Sequence, residues 1–185
     1  MKQILESARI GIFMIYTKQE ILNFLENHNI PFQLYKHEPL FTSEQAITIV
    51  ARMNMPGMGI KNLFLKDSKK NFYLISAAYT TQIDIKITGK TIGAKELRFA
   101  DTDALMQHLH VKPGSVTPIA LINNSENSVQ MILDSNIFNY ELIQIHPLEN
   151  DASIVLKPTN LLKFFAAINR TFKLYNFTEH RWERI

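Results

Sequence analysis

Gly59-Ile60-Lys61-Asn62-Leu63-Phe64-Leu65-Lys66-Asp67-Ser68-Lys69-Lys70-Asn71-Phe72-Tyr73-Leu74-Ile75-Ser76-Ala77 contains two apolar runs around a polar hinge. Asn62 to Lys66 and Asn71 to Ala77 carry the large aliphatic and aromatic residues that suit a pleated, buried surface. Asp67-Ser68-Lys69-Lys70 between them is short and polar, so the pair is expected to fold back as a β-hairpin.

On the N-terminal side, Met53 to Gly59 reads as a loop. Before it, Thr42-x-x-Gln45 has capping-box spacing for a helix reaching about Val50, and Phe32 to Tyr35 alternates like a short strand after the Pro31 break. Thr17-x-x-Glu20 opens another helix, with Ile21, Phe24 and Leu25 on one face. Residues 1–16 then form an N-terminal extension. Its run from Ile10 to Tyr16 is too short to span a bilayer and is followed by Thr17-Lys18-Gln19-Glu20 rather than small residues, so no secretory signal or membrane anchor is expected. A start codon at Met14 would remove most of that run, and N-terminal sequencing of the native protein tests this.

On the C-terminal side, Asp84 to Gly93 is ambiguous, because β-branched residues and Gly89 weaken a helix. Asp101 is a candidate cap for a helix carrying Leu105 and Leu109, ended by Pro113-Gly114. Thr117 to Ile122 and Val129 to Leu133, joined by the Asn/Ser-rich stretch 123–128, predict a second hairpin. Leu142 to Ile145 and Ile154 to Leu156 complete the strands, and Thr159 is the expected cap of a helix carrying Leu161, Phe164, Phe165 and Ile168. The expectation is one α+β domain over 17–170, with a mixed, largely antiparallel sheet flanked by helices. Residues 171–185, with Arg181, Trp182 and Arg184, are expected to be a C-terminal tail that frays rather than stacks on RNA.

A chain of 185 residues, 46% apolar and 20% charged, is sized for one domain with a substantial core. The net charge of +3 is compatible with docking on a phosphate backbone but is far from a DNA-coating charge. Without cysteine there is no disulfide, no Cys-ligated metal and no thiol nucleophile. Gly-rich phosphate loops, a nucleophile elbow and a zincin motif are absent as well. His108-x-His110 does not put two imidazoles on one helical face, so it reads as a solvated helix end, and no metal or organic cofactor is implied. Asn176-Phe177-Thr178 is a glycosylation sequon without secretory context.

Three stretches at the edges of expected strands are candidates for chemistry, since sites form where loops are held by a rigid scaffold: 59–65, Gly114 to Pro118, and His146 to Asn150. They belong to an ordered series. Lys61-Asn62-Leu63-Phe64-Leu65-Lys66-Asp67 is followed by Leu97-Arg98-Phe99-Ala100, Gly114-Ser115-Val116-Thr117-Pro118 and Val129-x-x-Ile132-Leu133-Asp134. His146-Pro147-Leu148-x-Asn150 and Pro158-x-x-Leu161-Leu162-Lys163-Phe164 come next. This order resembles the YbaK/ProX prolyl-tRNA editing family from about Thr17 to Ile168, and within it the free-standing alanyl-tRNA(Pro) deacylases.

The resemblance implies a barrel-like sheet of the YbaK type and hydrolysis of a mischarged aminoacyl-tRNA ester. Lys61 matches the family's essential lysine, with Asn62 beside it; a compact ammonium suits a terminal phosphate or carbonyl. Gly114, Ser115, Val116, Thr117 and Pro118 match the loop whose backbone approaches the ester, and His146, followed by Pro147, matches the family histidine. Thr42 and Ser43 match a substrate-side segment, and Asn150 and Ala152 match a pocket-side turn. Asp151 departs from the threonine expected there, which leaves the fine specificity open. Water aimed by the loop and by the substrate's own ribose hydroxyl would attack, with Lys61 as anchor. A pocket sized for alanine would exclude proline.

The implied partner is the tRNA acceptor end, with Lys66, Lys69, Lys70, Lys86 and Lys90 as candidate phosphate contacts and prolyl-tRNA synthetase as a candidate recruiting partner. The implied setting is a cytoplasmic monomer or weak dimer. Action on cysteinyl- or seryl-tRNA, and a non-catalytic tRNA- or nucleotide-binding module, remain open as alternatives.

Overall fold

The computed structural model of the chain describes residues 14–40 and 42–184; the apolar run before Met14 lies outside them. Its elements in chain order are α1 (Lys18–Asn27), β1 (Gln33–Lys36), α2 (Ser43–Arg52), β2 (Met58–Lys66), β3 (Phe72–Ala78), α3 (Ile85–Ile92), β4 (Arg98–Phe99) and α4 (Thr102–Leu109), followed by a 3-10 helix, Pro118–Asn123. After these come β5 (Val129–Asp134), a second 3-10 helix (Ser135–Asn139), β6 (Ile143–Ile145), β7 (Ala152–Leu156), α5 (Pro158–Ala167), β8 (Phe172–Asn176) and β9 (Arg181–Glu183).

The hairpin read from 59–77 is the centre of the sheet, with β2 and β3 antiparallel from Ile60↔Ala78 to Lys66↔Phe72. Its turn is built on buried Asp67, whose carboxylate accepts from the backbone N–H groups of Lys69 and Asn71 at 2.9 Å each and from the Asn71 side chain at 2.8 Å. Burial alone would raise the Asp67 pKa; these bonds outweigh it and hold the carboxyl below its ordinary value.

The sheet runs β1-β7-β6-β2-β3-β5-β8-β9, with β4 on β2. It is mixed and mostly antiparallel, as expected, with β2/β6, β3/β5 and β5/β8 parallel. The paired path ends at β1 and β9, with no ladder between those two, so the barrel-like closure is not drawn by the hydrogen bonds among the described residues.

Alternation along β2 and β3 buries both faces. Phe64 and Leu74 face the larger core with Ile21 and Leu25 of α1, Leu105 of α4 and Phe164 and Phe165 of α5. Leu65, Tyr73, Ile75 and Ala77 face a smaller core closed by α3, with Ile132, Tyr175 and Phe177. Both expected capping boxes form, at Thr17 and Thr42. The ambiguous segment 84–93 is a helix capped by Asp84 and ended by Gly93 in the left-handed region. Gly89 is needed within it, because a Cβ there would come within 3.2 Å of the Ala94 carbonyl.

Four expectations are corrected. Thr117 to Ile122 is not a strand: Pro118 has no N–H for a ladder, and its fixed φ opens a 3-10 helix instead. Ile119, Ala120 and Leu121 are all buried, a pattern that periodicity does not separate from a core strand. The expected second hairpin is therefore absent, and β5 pairs in parallel with β3 and β8. The last helix is capped at Lys157 with Pro158 in its first turn, so Thr159 lies inside it. His108 is not solvated: its ring lies 4.1 Å from that of Phe72, its Nδ1 is 2.9 Å from the Ser128 hydroxyl, and burial holds its pKa down.

The fourth correction concerns the termini. Residues 172–183 are not a fraying tail, because β8 extends the sheet from β5 and buries Tyr175 completely, with Phe177 beside it. Tyr16, placed in the extension, exchanges two hydrogen bonds with Asn123, at 2.7 and 3.2 Å, and packs edge-on to Phe24. Phe177→Ala is expected to lower stability by about 3–5 kcal/mol. Truncation after Arg170 removes two such anchors, a loss comparable with a typical total of about 5–15 kcal/mol. The truncated chain should be insoluble or lack a cooperative thermal transition; a soluble chain with an unchanged midpoint would show that β8 and β9 are dispensable.

Candidate active site

Among the described residues, strand β2 has no paired strand on one side between its contact with β6 at residues 58–59 and its contact with β4 at residues 65–66. The Gly114 to Pro118 loop comes up to it there. The Asn62 amide is the tie: its Nδ2 donates to the Val116 carbonyl at 2.9 Å, while its Oδ1 accepts from the Ser76 hydroxyl at 2.6 Å. Both ends of the side chain are thus fixed, one on the sheet and one on the loop.

Gly114 stands at φ +84, a left-handed conformation that side chains resist, and a Cβ there would lie 3.6 Å from the Asn150 amide nitrogen. That amide donates to the Leu40 carbonyl at 2.8 Å, and the Leu40 N–H donates back to the Asn150 carbonyl at 3.2 Å. Three segments distant in sequence, at 40, 114–116 and 150, therefore meet beside Asn62. Between Asn62, Phe64, Leu105, Gly114 and Val116 lies a cleft of about 220 Å³, with Phe99 at its edge.

Within the loop, Gly114 is exposed and Val116 half-buried, whereas Ser115, Thr117 and Pro118 are buried. The Thr117 hydroxyl is sealed in without a hydrogen-bond partner. The loop is thus open to a ligand at Gly114 and, in part, at Val116.

Lys61 is not brought to the loop. It alternates with Asn62 and projects from the opposite face of β2. There its ammonium donates to the Thr81 carbonyl, and the Thr81 hydroxyl donates to buried Asp134 at 2.6 Å. Burial lowers the Lys61 pKa, and the nearby Asp134 charge opposes that shift. Thr81 and Asp134 were not singled out as site residues. Asp134 ends the Val129-x-x-Ile132-Leu133-Asp134 segment, and that was the available signal.

His146 donates from Nδ1 to the Ala152 carbonyl at 3.1 Å, closing the turn over Pro147 and Asn150. Burial pushes its pKa down, so the neutral imidazole is favoured. Ala152 is buried at the start of β7 and lines a different cavity, of about 420 Å³, with His37, Lys18 and Asp151. Lys18 forms ion pairs with both Glu149 and Asp151, giving the non-threonine at position 151 a structural partner. Thr42 is occupied as a helix cap, and Ser43 begins that helix. Among the candidate phosphate contacts, Lys66 is ion-paired with Asp101, while Lys69, Lys70, Lys86 and Lys90 are exposed. No helix among the described residues is long and apolar enough to cross a membrane.

Comparison with known proteins identifies the family. The family model of the aminoacyl-tRNA editing domain matches residues 37–164, which contain Lys61, the loop and His146. The prolyl-tRNA editing protein ProX of Acetoanaerobium sticklandii is 31% identical over 159 residues, covering 84% of this chain and 94% of that protein. The prolyl-tRNA synthetase associated domain-containing protein 1 of Danio rerio is 29% identical over 174 residues, covering 93% and 94%. In fold, the chain resembles the crystal structure of a candidate trans-editing enzyme for prolyl tRNA synthetase, with a TM-score of 0.63 at 15% identity over 86% of this chain and 96% of that one. The chain belongs to the aminoacyl-tRNA editing domain family, whose members hydrolyse the ester of an aminoacyl-tRNA.

Proposed function

We propose that the chain edits tRNA(Pro) in trans and that its preferred substrate is alanyl-tRNA(Pro). The observation that carries this reading is the small cleft of about 220 Å³ between Asn62 and the 114–116 backbone, closed on its inner side by Phe64 and Leu105. An alanyl methyl fits a space of that kind. A cleft of this volume also has room for a pyrrolidine, so rejection of proline would rest on how firmly Asn62 holds the loop against the ring rather than on volume alone.

The chemistry follows from what is available. Ser76 donates its hydroxyl to Asn62, Ser115 is buried and His146 is engaged with Ala152, while the serine–histidine contacts His108–Ser128 and His37–Ser153 are not among the residues lining the cleft, so none is set there for a covalent step. Direct attack by water fits this arrangement, with loop backbone groups aimed at the carbonyl and the ribose hydroxyl of the substrate assisting. Lys61 supplies fixed positive charge at the end of the sheet, held by Thr81 and Asp134 rather than aimed at the ester. Recruitment by prolyl-tRNA synthetase is consistent with the names its relatives carry.

Alanyl-, cysteinyl-, seryl- and prolyl-tRNA(Pro) should be compared as substrates by loss of the labelled amino acid. Rapid release of alanine alone supports the reading; equal or faster release of cysteine or serine would move the substrate assignment. Binding of tRNA without release of any amino acid would leave a non-catalytic module. Asn62→Ala frees the loop from the sheet and should cut kcat/KM about 100-fold, the scale of a misplacement near 1 Å. Lys61→Met should also lower the rate, and an unchanged rate would remove Lys61 from the machinery.

His146 has a depressed pKa in the folded chain, so the unfolded chain binds a proton more readily. The stability this contributes is complete above about pH 6.5, the value for unfolded histidine, and is lost as pH falls through the lower folded value. Urea midpoints at pH 5.5 and 7.5 should therefore differ less in His146→Gln than in the parent chain. His108, also held down by burial, contributes in the same direction.

A further inference from the structure

At the starts of β3, β5 and β8, where Phe72 pairs with Val129 and Met131 with Phe172, the structure opens a cavity of about 690 Å³. Its lining includes Asn71, Asn127, Ser128, Gln130, Arg170 and Lys173 and contains no aspartate or glutamate. The charged groups of the cavity wall are thus cationic, and the rest of it mixes neutral hydrogen-bonding groups with the apolar side chains of Phe72, Val129, Met131 and Phe172.

Arg170 is its fixed charge. The end of α5 forms a Schellman cap, with Asn169 at φ 52, its N–H on the Ala166 carbonyl at 3.1 Å and the Arg170 N–H on the Phe165 carbonyl at 2.8 Å. This sets the direction in which the Arg170 side chain leaves the helix. Its guanidinium then donates to the Asn127 side-chain oxygen and to the Leu121 carbonyl.

Two neutral acceptors use two of five donors, and Arg170 takes part in none of the ion pairs among the described residues. Burial is the one influence resolved on its pKa, and it acts downward without a compensating carboxylate. A half-buried guanidinium facing neutral groups, with donors to spare, has the character of an oxyanion site, for which its planar fork is well matched.

Its place in the fold says which oxyanion. Leu121, which accepts from Arg170, lies in the 3-10 helix that continues directly from the Gly114 to Pro118 loop. Along β3, Ser76, which holds Asn62, is four residues from Phe72 at the cavity, about 13 Å at the rise of a strand. A substrate whose ester sits at Asn62 has its RNA backbone at that range.

We infer that the Arg170 cavity binds a backbone phosphate of the same tRNA whose ester is hydrolysed at the Asn62 cleft. This rests on the editing function proposed above, and it gives the enzyme a contact that discriminates tRNA from a free aminoacyl nucleoside.

The test uses the full chain with uncharged tRNA(Pro), titrated by fluorescence anisotropy over a range of KCl concentrations. Arg170→Gln keeps polar reach to Leu121 and Asn127 but removes the charge. Asn127→Asp leaves Arg170 in place and pairs it with a carboxylate. Both variants should weaken tRNA binding about 10-fold and flatten the log Kd against log salt slope by about 0.7–0.9, the loss of one phosphate contact. Arg170→Lys should retain most of that slope. Hydrolysis of alanyl-adenosine, which has no RNA backbone, should be unchanged in all three.

A salt slope unchanged in both charge-removing variants overturns the inference, as does an equal loss on alanyl-adenosine. Should Arg170→Gln fail to fold, Asn127→Asp decides alone. A thermal midpoint raised by inorganic phosphate over chloride at equal ionic strength, and lost in Arg170→Gln while the tRNA slope stays the same, would assign the cavity to free phosphate instead and likewise overturn the RNA contact. If the parent chain hydrolyses no aminoacyl-tRNA, the editing proposal falls, but the salt slope still decides this site.

Discussion

Between Asn62 and Val116 a single amide–carbonyl hydrogen bond of 2.9 Å joins the central strand to the loop that forms the cleft. Such a bond contributes only about 1 kcal/mol to stability. Its importance lies in position, because the same side chain is fixed at its other end by Ser76 on the neighbouring strand. The loop therefore takes its place from the hairpin at the centre of the sheet. Any tilt of β2 against β3 would move the cleft, and two cores pressing on opposite faces of that hairpin prevent it.

The same alternation that buries both faces also divides the site. A strand can aim adjacent residues only in opposite directions, so Lys61 and Asn62 cannot serve one pocket wall side by side. Asn62 holds the cleft, while Lys61 binds the 81–134 corner on the other face. Two adjacent letters in the sequence thus carry separate structural tasks, and a motif match does not distinguish them.

The sequence made the local chemistry plain. Thr17 with Glu20 and Thr42 with Gln45 cap helices through bonds spanning three residues, and the Asp67 turn closes within a few residues more. Long-range geometry was not legible. Thr117 to Ile122 is apolar after its first residue and passes equally for a strand or a buried helix until Pro118 settles it. The segment after 171 reads as a tail because Tyr175 and Phe177 are apolar only in the company of Ile132 and Leu65, which lie far away in sequence. At the site, the loop and the His146 turn could be read as candidates, but the approach of Gly114 to Asn150 could not, nor the two hydrogen bonds that tie Asn150 to Leu40, 110 residues away.

Under the proposed preference for alanyl-tRNA, the enzyme faces a difficulty of affinity, because an alanyl group offers only one methyl to bind. Burying it contributes about 1 kcal/mol, too little to hold a macromolecular substrate at the concentrations of a mischarged minority. The energy that retains the substrate must come from parts of the tRNA remote from the ester. The modest net charge of +3 does not suggest a broad electrostatic surface, so that energy has to be concentrated at defined points. A half-buried guanidinium without a carboxylate partner, seated on the element that continues from the catalytic loop, is one such point. On the two proposals together, selectivity and affinity would be handled by different parts of one continuous segment: the Gly114 end would limit the side chain admitted, and the Leu121 end leans on Arg170, which would hold the backbone.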